Sequence, residues 1–157
     1  MALQFSAPAQ AEFNKLLKNY PVKEAALLPS LYLAQREFGH VSLEAMEYVA
    51  GLLGVTPARV YGVAAFYTMY HQAPVGKYLV QVCLNLPCAL RGAEEVFEYI
   101  GKKLKLKEGE TTPDQRFTLM KVECLGACGN APMMQINDNY YEDLTPAKVD
   151  EILDGLK

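Results

Sequence analysis

The sequence contains four cysteines, and they lie in two short segments. The first pair, Cys83 and Cys88, has the spacing C-x4-C, and the second pair, Cys124 and Cys128, has the spacing C-x3-C. Thiolates are soft ligands that bind Zn²⁺, Cu(I) and iron–sulfur clusters. Four cysteines in two close pairs therefore predict a metal centre with these residues as its ligands.

The spacing and the neighbouring residues favour a 2Fe–2S cluster, and zinc is the main alternative. Structural zinc sites commonly use tighter C-x2-C pairs, whereas a cluster of two irons is wider and needs two thiolates for each iron. Gly126 lies inside the second pair and Gly129 follows it. A backbone without β-carbons can approach inorganic sulfide and direct N–H groups toward it. Spacing alone leaves zinc possible.

The composition is that of an ordinary soluble globular protein, with 51% hydrophobic and 21% charged residues in a chain of 157. The net charge of −3 gives no reason to expect nucleic acid or an anionic membrane as a partner. No apolar run reaches the roughly 18–20 residues of a membrane span, and the N-terminus lacks the pattern of a secretory signal. We expect a cytoplasmic or membrane-peripheral protein, in which paired cysteines are ligands rather than disulfides.

Residues 1 to about 72 have helical periodicity and are expected to form a small bundle of four helices. Ser42 and the dipeptide Thr56-Pro57 are typical of helix starts. A single helix is expected from about Lys23 to Phe38. Its inward side chains are expected to be Leu28, Leu31, Tyr32 and Phe38.

The first half also contains both histidines and a stretch rich in aromatic residues. We expect His40 to be a solvated residue after a helix end and His71 to be a packing or interface residue, rather than metal ligands. For the aromatic stretch, core packing is the favoured interpretation, and a docking surface for a partner is the alternative. The stretch comprises Tyr61, Phe66, Tyr67 and Tyr70.

The pattern changes after residues 72–77, a predicted linker that divides the chain into domains 1–75 and 76–157. The second domain is expected to have the order β-α-β-β-α. Its strands are expected at residues 77–83, 117–122, 133–136 and 140–141, and its helices at residues 92–104 and from Thr145-Pro146 onward. If the first two strands are neighbours, both cysteine pairs lie at one end of the sheet.

Four segments of this chain are similar to one known family. The strongest matches are VCLNLPCALRGAEE at 82–95 and KVECLGACGNAPMMQIND at 121–138, and GVAAFYTMY at 62–70 and GETTPDQRFTLMKVECLG at 109–126 also match. In these segments the chain resembles the small 2Fe–2S subunit of the NADH-oxidising module of bacterial respiratory complex I.

The resemblance implies an α+β chain of two domains, with an N-terminal helical bundle and a C-terminal thioredoxin-like α/β domain that holds the cluster. It implies that Cys83 and Cys88 bind one iron, and that Cys124 and Cys128 bind the other. The segment Ala131-Pro132 precedes a strand, where thioredoxin-like folds often have a cis proline. From this sequence we expect a trans bond.

The resemblance also implies one-electron transfer without a catalytic site in this chain. In that family the partner subunit binds FMN, NADH and a 4Fe–4S cluster, and other subunits form the rest of the peripheral arm. The complex would hold this chain at the cytoplasmic face of the inner membrane. Equivalent subunits occur in NAD-linked hydrogenases and formate dehydrogenases. A zinc-stabilised assembly module is the alternative from a different functional class.

Overall fold

The computed structural model describes residues 3–156, which fall into two compact units that divide between Pro74 and Val75. That each unit folds as an independent domain, with the bounds 1–75 and 76–157, stays a prediction. Residues 1, 2 and 157 of those predicted domains lie outside the described part of the chain. No helix within residues 3–156 is both long enough and apolar enough to cross a membrane.

The first unit is helical, as predicted, and contains four α-helices: α1 (Ala7–Leu17), α2 (Leu27–Phe38), α3 (Leu43–Leu53) and α4 (Pro57–Phe66). The side chains of Ser6, Ser42 and Thr56 cap α1, α3 and α4 by accepting a backbone N–H of the first turn. These caps satisfy N–H groups that have no partner inside the helix. Helix α2 packs against the other three helices.

The predicted second helix needs two corrections. It begins at Leu27, because residues Lys23–Ala26 form a separate 3₁₀ turn. Leu31 is buried as predicted and Phe38 is half-buried, but Leu28 and Tyr32 are exposed. The inward stripe runs instead through Leu27, Ser30, Leu31 and Ala34. Ser30 is accommodated there because its hydroxyl donates to the Ala26 carbonyl at 2.7 Å.

Core packing was the favoured interpretation of the aromatic stretch, and it is wrong for three of its four residues. Tyr61, Phe66 and Tyr67 are exposed, whereas Tyr70 is buried and its hydroxyl donates to the Leu28 carbonyl at 2.8 Å. Ring contacts join Phe66 to Tyr67, Tyr67 to Tyr70, and Tyr70 to the exposed Tyr32. We call these four rings, Tyr32, Phe66, Tyr67 and Tyr70, the aromatic patch.

The second unit contains a four-stranded mixed sheet with the strand order β2-β1-β3-β4. Strands β1 and β2 are parallel, and the other two pairings are antiparallel. The predicted order β-α-β-β-α is confirmed, with one additional short helix, α5. The elements are β1 (Tyr78–Cys83), α5 (Leu86–Leu90), α6 (Ala93–Leu104), β2 (Phe117–Val122), β3 (Met134–Ile136), β4 (Asn139–Tyr141) and α7 (Pro146–Gly155).

Helices α6 and α7 pack on one face of this sheet, where alternate strand residues form the core. Val80 lies opposite Ile136 and Val82 lies opposite Met134, so these four side chains share that face. Residues between them in the strands point the other way. Gln81 and Cys83 are therefore on the opposite face of β1.

Candidate metal centre

The cysteine pairs lie at one end of the sheet because their strands are parallel neighbours. Cys83, the last residue of β1, is in register with Val122, the last residue of β2. The chain leaves both strands at that edge, into residues 84–92 and residues 123–133. We call these segments the first and the second cysteine loop. The first two strands are thus neighbours, which was the condition for both cysteine pairs to lie at one end of the sheet.

The first cysteine loop folds into the short helix α5, which the sequence analysis missed. The Asn85 side chain caps this helix by accepting the Leu86 N–H at 2.9 Å, and Pro87 occupies its first turn. Cys88 lies within α5 and is buried. A helix of five residues is too short to show helical periodicity, so only Asn85 and Pro87 could have signalled it.

The second cysteine loop is more open. Cys124 and Cys128 are both exposed, in contrast to the first pair. Gly126 has a φ of 79°, a left-handed conformation that glycine adopts without steric cost. Cys128 begins a 3₁₀ turn that ends at Asn130. The Ala131-Pro132 bond that follows is cis, so the expectation of a trans bond was wrong.

The two loops contact each other around the buried sulfurs. Cys83 and Cys88 share a small buried cluster with three apolar residues, and Leu125 and Ala127 from the second loop pack against it. The Cys83 thiol donates to the Glu123 carbonyl at 3.2 Å. The Asn85 amide donates to the Glu123 carboxylate at 3.3 Å. Apolar packing and hydrogen bonds therefore both hold the two cysteine loops together.

The electrostatics of Cys88 show which sulfurs are close. The pKa of the Cys88 thiol is raised to about 11, mainly because the thiol is buried. The neighbouring Cys83 thiol raises this pKa further, and Cys128 has a smaller effect in the same direction. The Met133 N–H opposes the rise in this pKa. The Cys83 and Cys88 thiols are therefore neighbours, and Cys128 is near enough to influence the pKa of Cys88. Cys124 lies in the same loop as Cys128 and is exposed.

The donor chemistry and the loop backbone fit a 2Fe–2S cluster. All four cysteines are free thiols, with two donors from each loop. From Cys124 to Gly129, no backbone N–H has a protein acceptor in the described part of the chain. Such N–H groups are available to the sulfurs of a cluster, and hydrogen bonds of this kind set its potential.

Zinc, the main alternative from the sequence, would require four ligands around one ion. Within residues 3–156, no group of three or more His, Cys, Asp and Glu side chains is placed to hold a metal ion, so the side-chain positions favour neither zinc nor a cluster. The backbone of His71 is tied into the helical unit, since its N–H donates to Gln35 at 2.6 Å and its carbonyl accepts the Val41 N–H at 2.7 Å.

Comparisons with known proteins agree with this site. The family model for thioredoxin-like 2Fe-2S ferredoxins matches residues 13–157. The chain is 51% identical over 144 residues to an NADH-quinone oxidoreductase subunit of Rickettsia typhi, covering 88% of this chain and 84% of that protein. It is 47% identical over 156 residues to mitochondrial NADH dehydrogenase [ubiquinone] flavoprotein 2 of Dictyostelium discoideum, covering 98% of this chain and 63% of that protein.

A solved structure supports the fold. The crystal structure of an NAD+-reducing NiFe-hydrogenase in the H2-reduced state matches with a TM-score of 0.72 at 20% identity, over 82% of this chain and 22% of that chain. At this identity the likeness concerns the fold alone. The family model covers both cysteine loops and most of the helical unit. The chain belongs to the thioredoxin-like 2Fe-2S ferredoxin family, whose cofactor is a 2Fe–2S cluster.

Proposed function

We propose that this chain is the 2Fe–2S electron-transfer subunit of an NADH:quinone oxidoreductase, and that Cys83, Cys88, Cys124 and Cys128 bind its cluster. The observation that carries the proposal is the convergence of two cysteine loops at the shared end of β1 and β2. The similarity to the Rickettsia typhi oxidoreductase subunit supports this parent complex. We further propose that Cys83 and Cys88 bind one iron and that the second pair binds the other.

The protein's own residues then have three tasks. The four thiolates hold the cluster, which when bound supplies a site for one electron. Leu125 and Ala127 pack beside the buried pair and exclude water from that side. The N–H groups of the second cysteine loop stabilise negative charge on sulfur. None of these tasks requires a general base, a nucleophile or a substrate pocket in this chain.

The partner in this proposal is a larger subunit that binds FMN and NADH, within a peripheral arm at the cytoplasmic face of the membrane. The aromatic patch supports docking to another protein, because large exposed aromatic residues are enriched in interfaces. Phe66 is 76% exposed and Tyr32 is 50% exposed, although both are large apolar rings. Isolated soluble proteins seldom leave adjoining aromatic rings open to water.

The related assemblies are alternatives for the parent complex. The hydrogenase likeness rests on 20% identity, whereas the similarity to the Rickettsia typhi oxidoreductase subunit is 51%. We therefore place the complex I assembly first, and an NAD-linked hydrogenase or formate dehydrogenase second.

Isolation of the native assembly through an affinity tag on this chain tests the proposal. We expect an FMN-containing protein to co-purify, and NADH to produce the paramagnetic signal of a reduced 2Fe–2S cluster in the preparation. Quinone reduction would identify the parent complex, whereas hydrogen or formate oxidation would identify an alternative. Isolation of this chain alone, with zinc and no flavoprotein partner, would contradict the proposal.

A further inference from the structure

A tyrosine side chain anchors the backbone of the second cysteine loop between its two cysteines. The Tyr140 hydroxyl donates to the Leu125 carbonyl at 2.7 Å. Within residues 3–156, no other side chain makes a hydrogen bond to the backbone from Cys124 to Cys128. The other hydrogen bonds to the loop backbone reach Glu123, from the Cys83 thiol, and the segment from Ala127 onward. In that segment the Asn130 N–H donates to the Ala127 carbonyl at 3.2 Å, and the Asp143 N–H donates to the Asn130 carbonyl at 2.8 Å.

The sheet fixes the place of Tyr140. In the antiparallel pairings, Tyr140 of β4 lies opposite Gln135 of β3, which lies opposite Gln81 of β1. Residues in one such row point to the same face of a sheet. Cys83 is two residues beyond Gln81, so it shares that face with Tyr140. The hydroxyl that holds the loop is therefore positioned by the same sheet that positions the first ligand.

The anchored carbonyl determines the direction of the next N–H. A trans peptide places its C=O and its N–H on opposite sides. When Tyr140 holds the Leu125 carbonyl, the Gly126 N–H points away from the phenol. In the described part of the chain this N–H has no protein acceptor. A β-carbon built on Gly126 would meet no atom within 4 Å, so the peptide borders open space.

We propose that Tyr140 is a positioning residue for the cluster, which holds the Leu125–Gly126 peptide so that the Gly126 N–H is available to a cluster sulfur. This inference rests on the proposed ligand set. Tyr140 does not touch the metal and acts through the peptide that it fixes. A hydrogen bond to sulfur stabilises the reduced, more negative cluster, so the anchor raises the reduction potential.

The variant Tyr140→Phe tests the proposal, because it removes the hydroxyl and keeps the ring. Tyr141→Phe is the matched control, since Tyr141 is the next residue of β4 and packs against the helix-covered core. Both variants and the wild type are prepared as the native complex. Iron content, the potential of this cluster and its electron-paramagnetic spectrum are then measured.

We expect Tyr140→Phe to retain its iron, to shift the cluster potential to a more negative value and to change the g-values, while Tyr141→Phe matches the wild type. Equal potentials and spectra in all three proteins would overturn the positioning role, and so would equal shifts in both variants. Absence of iron from the wild-type chain would instead reject the proposed function itself, so the two failures are distinguishable.

Discussion

Cys83 and Val122 are partners in the parallel register of β1 and β2. The second cysteine pair begins two residues after Val122, so the end of one strand fixes the first ligand and the end of the other fixes the start of the second pair. A metal centre built on this register depends on four sulfurs from two loops rather than on one continuous motif.

Replacement of Cys124 by serine tests the least buried part of this ligand set. A serine oxygen is a harder donor than a thiolate and binds iron–sulfur clusters less well. We expect Cys124→Ser to abolish or distort the electron-paramagnetic signal of the reduced cluster. Asn130→Ser is the matched control, because it introduces a serine at an exposed residue of the same loop outside the cysteine pair and leaves all four sulfurs. An unaltered signal in Cys124→Ser would remove Cys124 from the ligand set.

Substitution of Phe66 tests the aromatic patch as a docking surface. Loss of an aromatic residue at the centre of an interface costs about 2 kcal/mol or more, which corresponds to roughly a thirtyfold loss of affinity. We expect Phe66→Ala to weaken association with the proposed flavin-binding partner by at least this factor without loss of iron. The control is Val22→Ala, at an apolar residue that is 58% exposed and outside the patch. Equal affinities for both variants would exclude Phe66 from the interface.

Alanine substitutions at two helical glycines are expected to change the free energy of unfolding in opposite directions. At Gly51 in α3 a β-carbon would meet no atom within 4 Å, so Gly51→Ala should stabilise the protein by about 0.5–1 kcal/mol. At Gly101 in α6 a β-carbon would lie 2.9 Å from the Leu106 carbonyl oxygen. Gly101→Ala should therefore destabilise it by about 1–3 kcal/mol. Urea unfolding of both variants measures these changes, and destabilisation by Gly51→Ala would contradict the packing described for α3.

The stability of the helical unit is expected to fall on acidification because of His71. Burial lowers the pKa of His71 below its ordinary value. The unfolded chain then binds a proton near pH 6.5, where the folded chain does not, so the free energy of unfolding decreases as the pH falls through that range. We expect His71→Gln to flatten this dependence between about pH 7 and pH 5. Identical slopes for the variant and the wild type would show that His71 makes no contribution.

Local signals in the sequence were sufficient to predict most of the helices and strands, although not α5, which contains Cys88. Ser42, Thr56 and Thr145 each cap a helix where the sequence indicated a start, because capping depends on a few adjacent residues. The alternation of apolar residues over 77–83 also predicted β1. Adjacency of β1 and β2 was the condition for bringing the two cysteine pairs to one end of the sheet, and the parallel register meets it.

Features that depend on distant contacts were not predictable. The Tyr140 hydroxyl contacts the Leu125 carbonyl across 15 residues of sequence, and no local pattern indicates that contact. Leu28 and Tyr32 were assigned to the core because hydrophobic residues usually are buried, yet the face of α2 is decided by the helices around it. The same rule also fails to predict that Phe66 is exposed.

The most direct test of the account is the iron and acid-labile sulfide content of the chain purified without oxygen. The account predicts about two irons and two sulfides for each chain, as in a 2Fe–2S cluster with four cysteine ligands, together with visible absorption that bleaches on reduction. A colourless protein with one zinc and neither iron nor sulfide would contradict it.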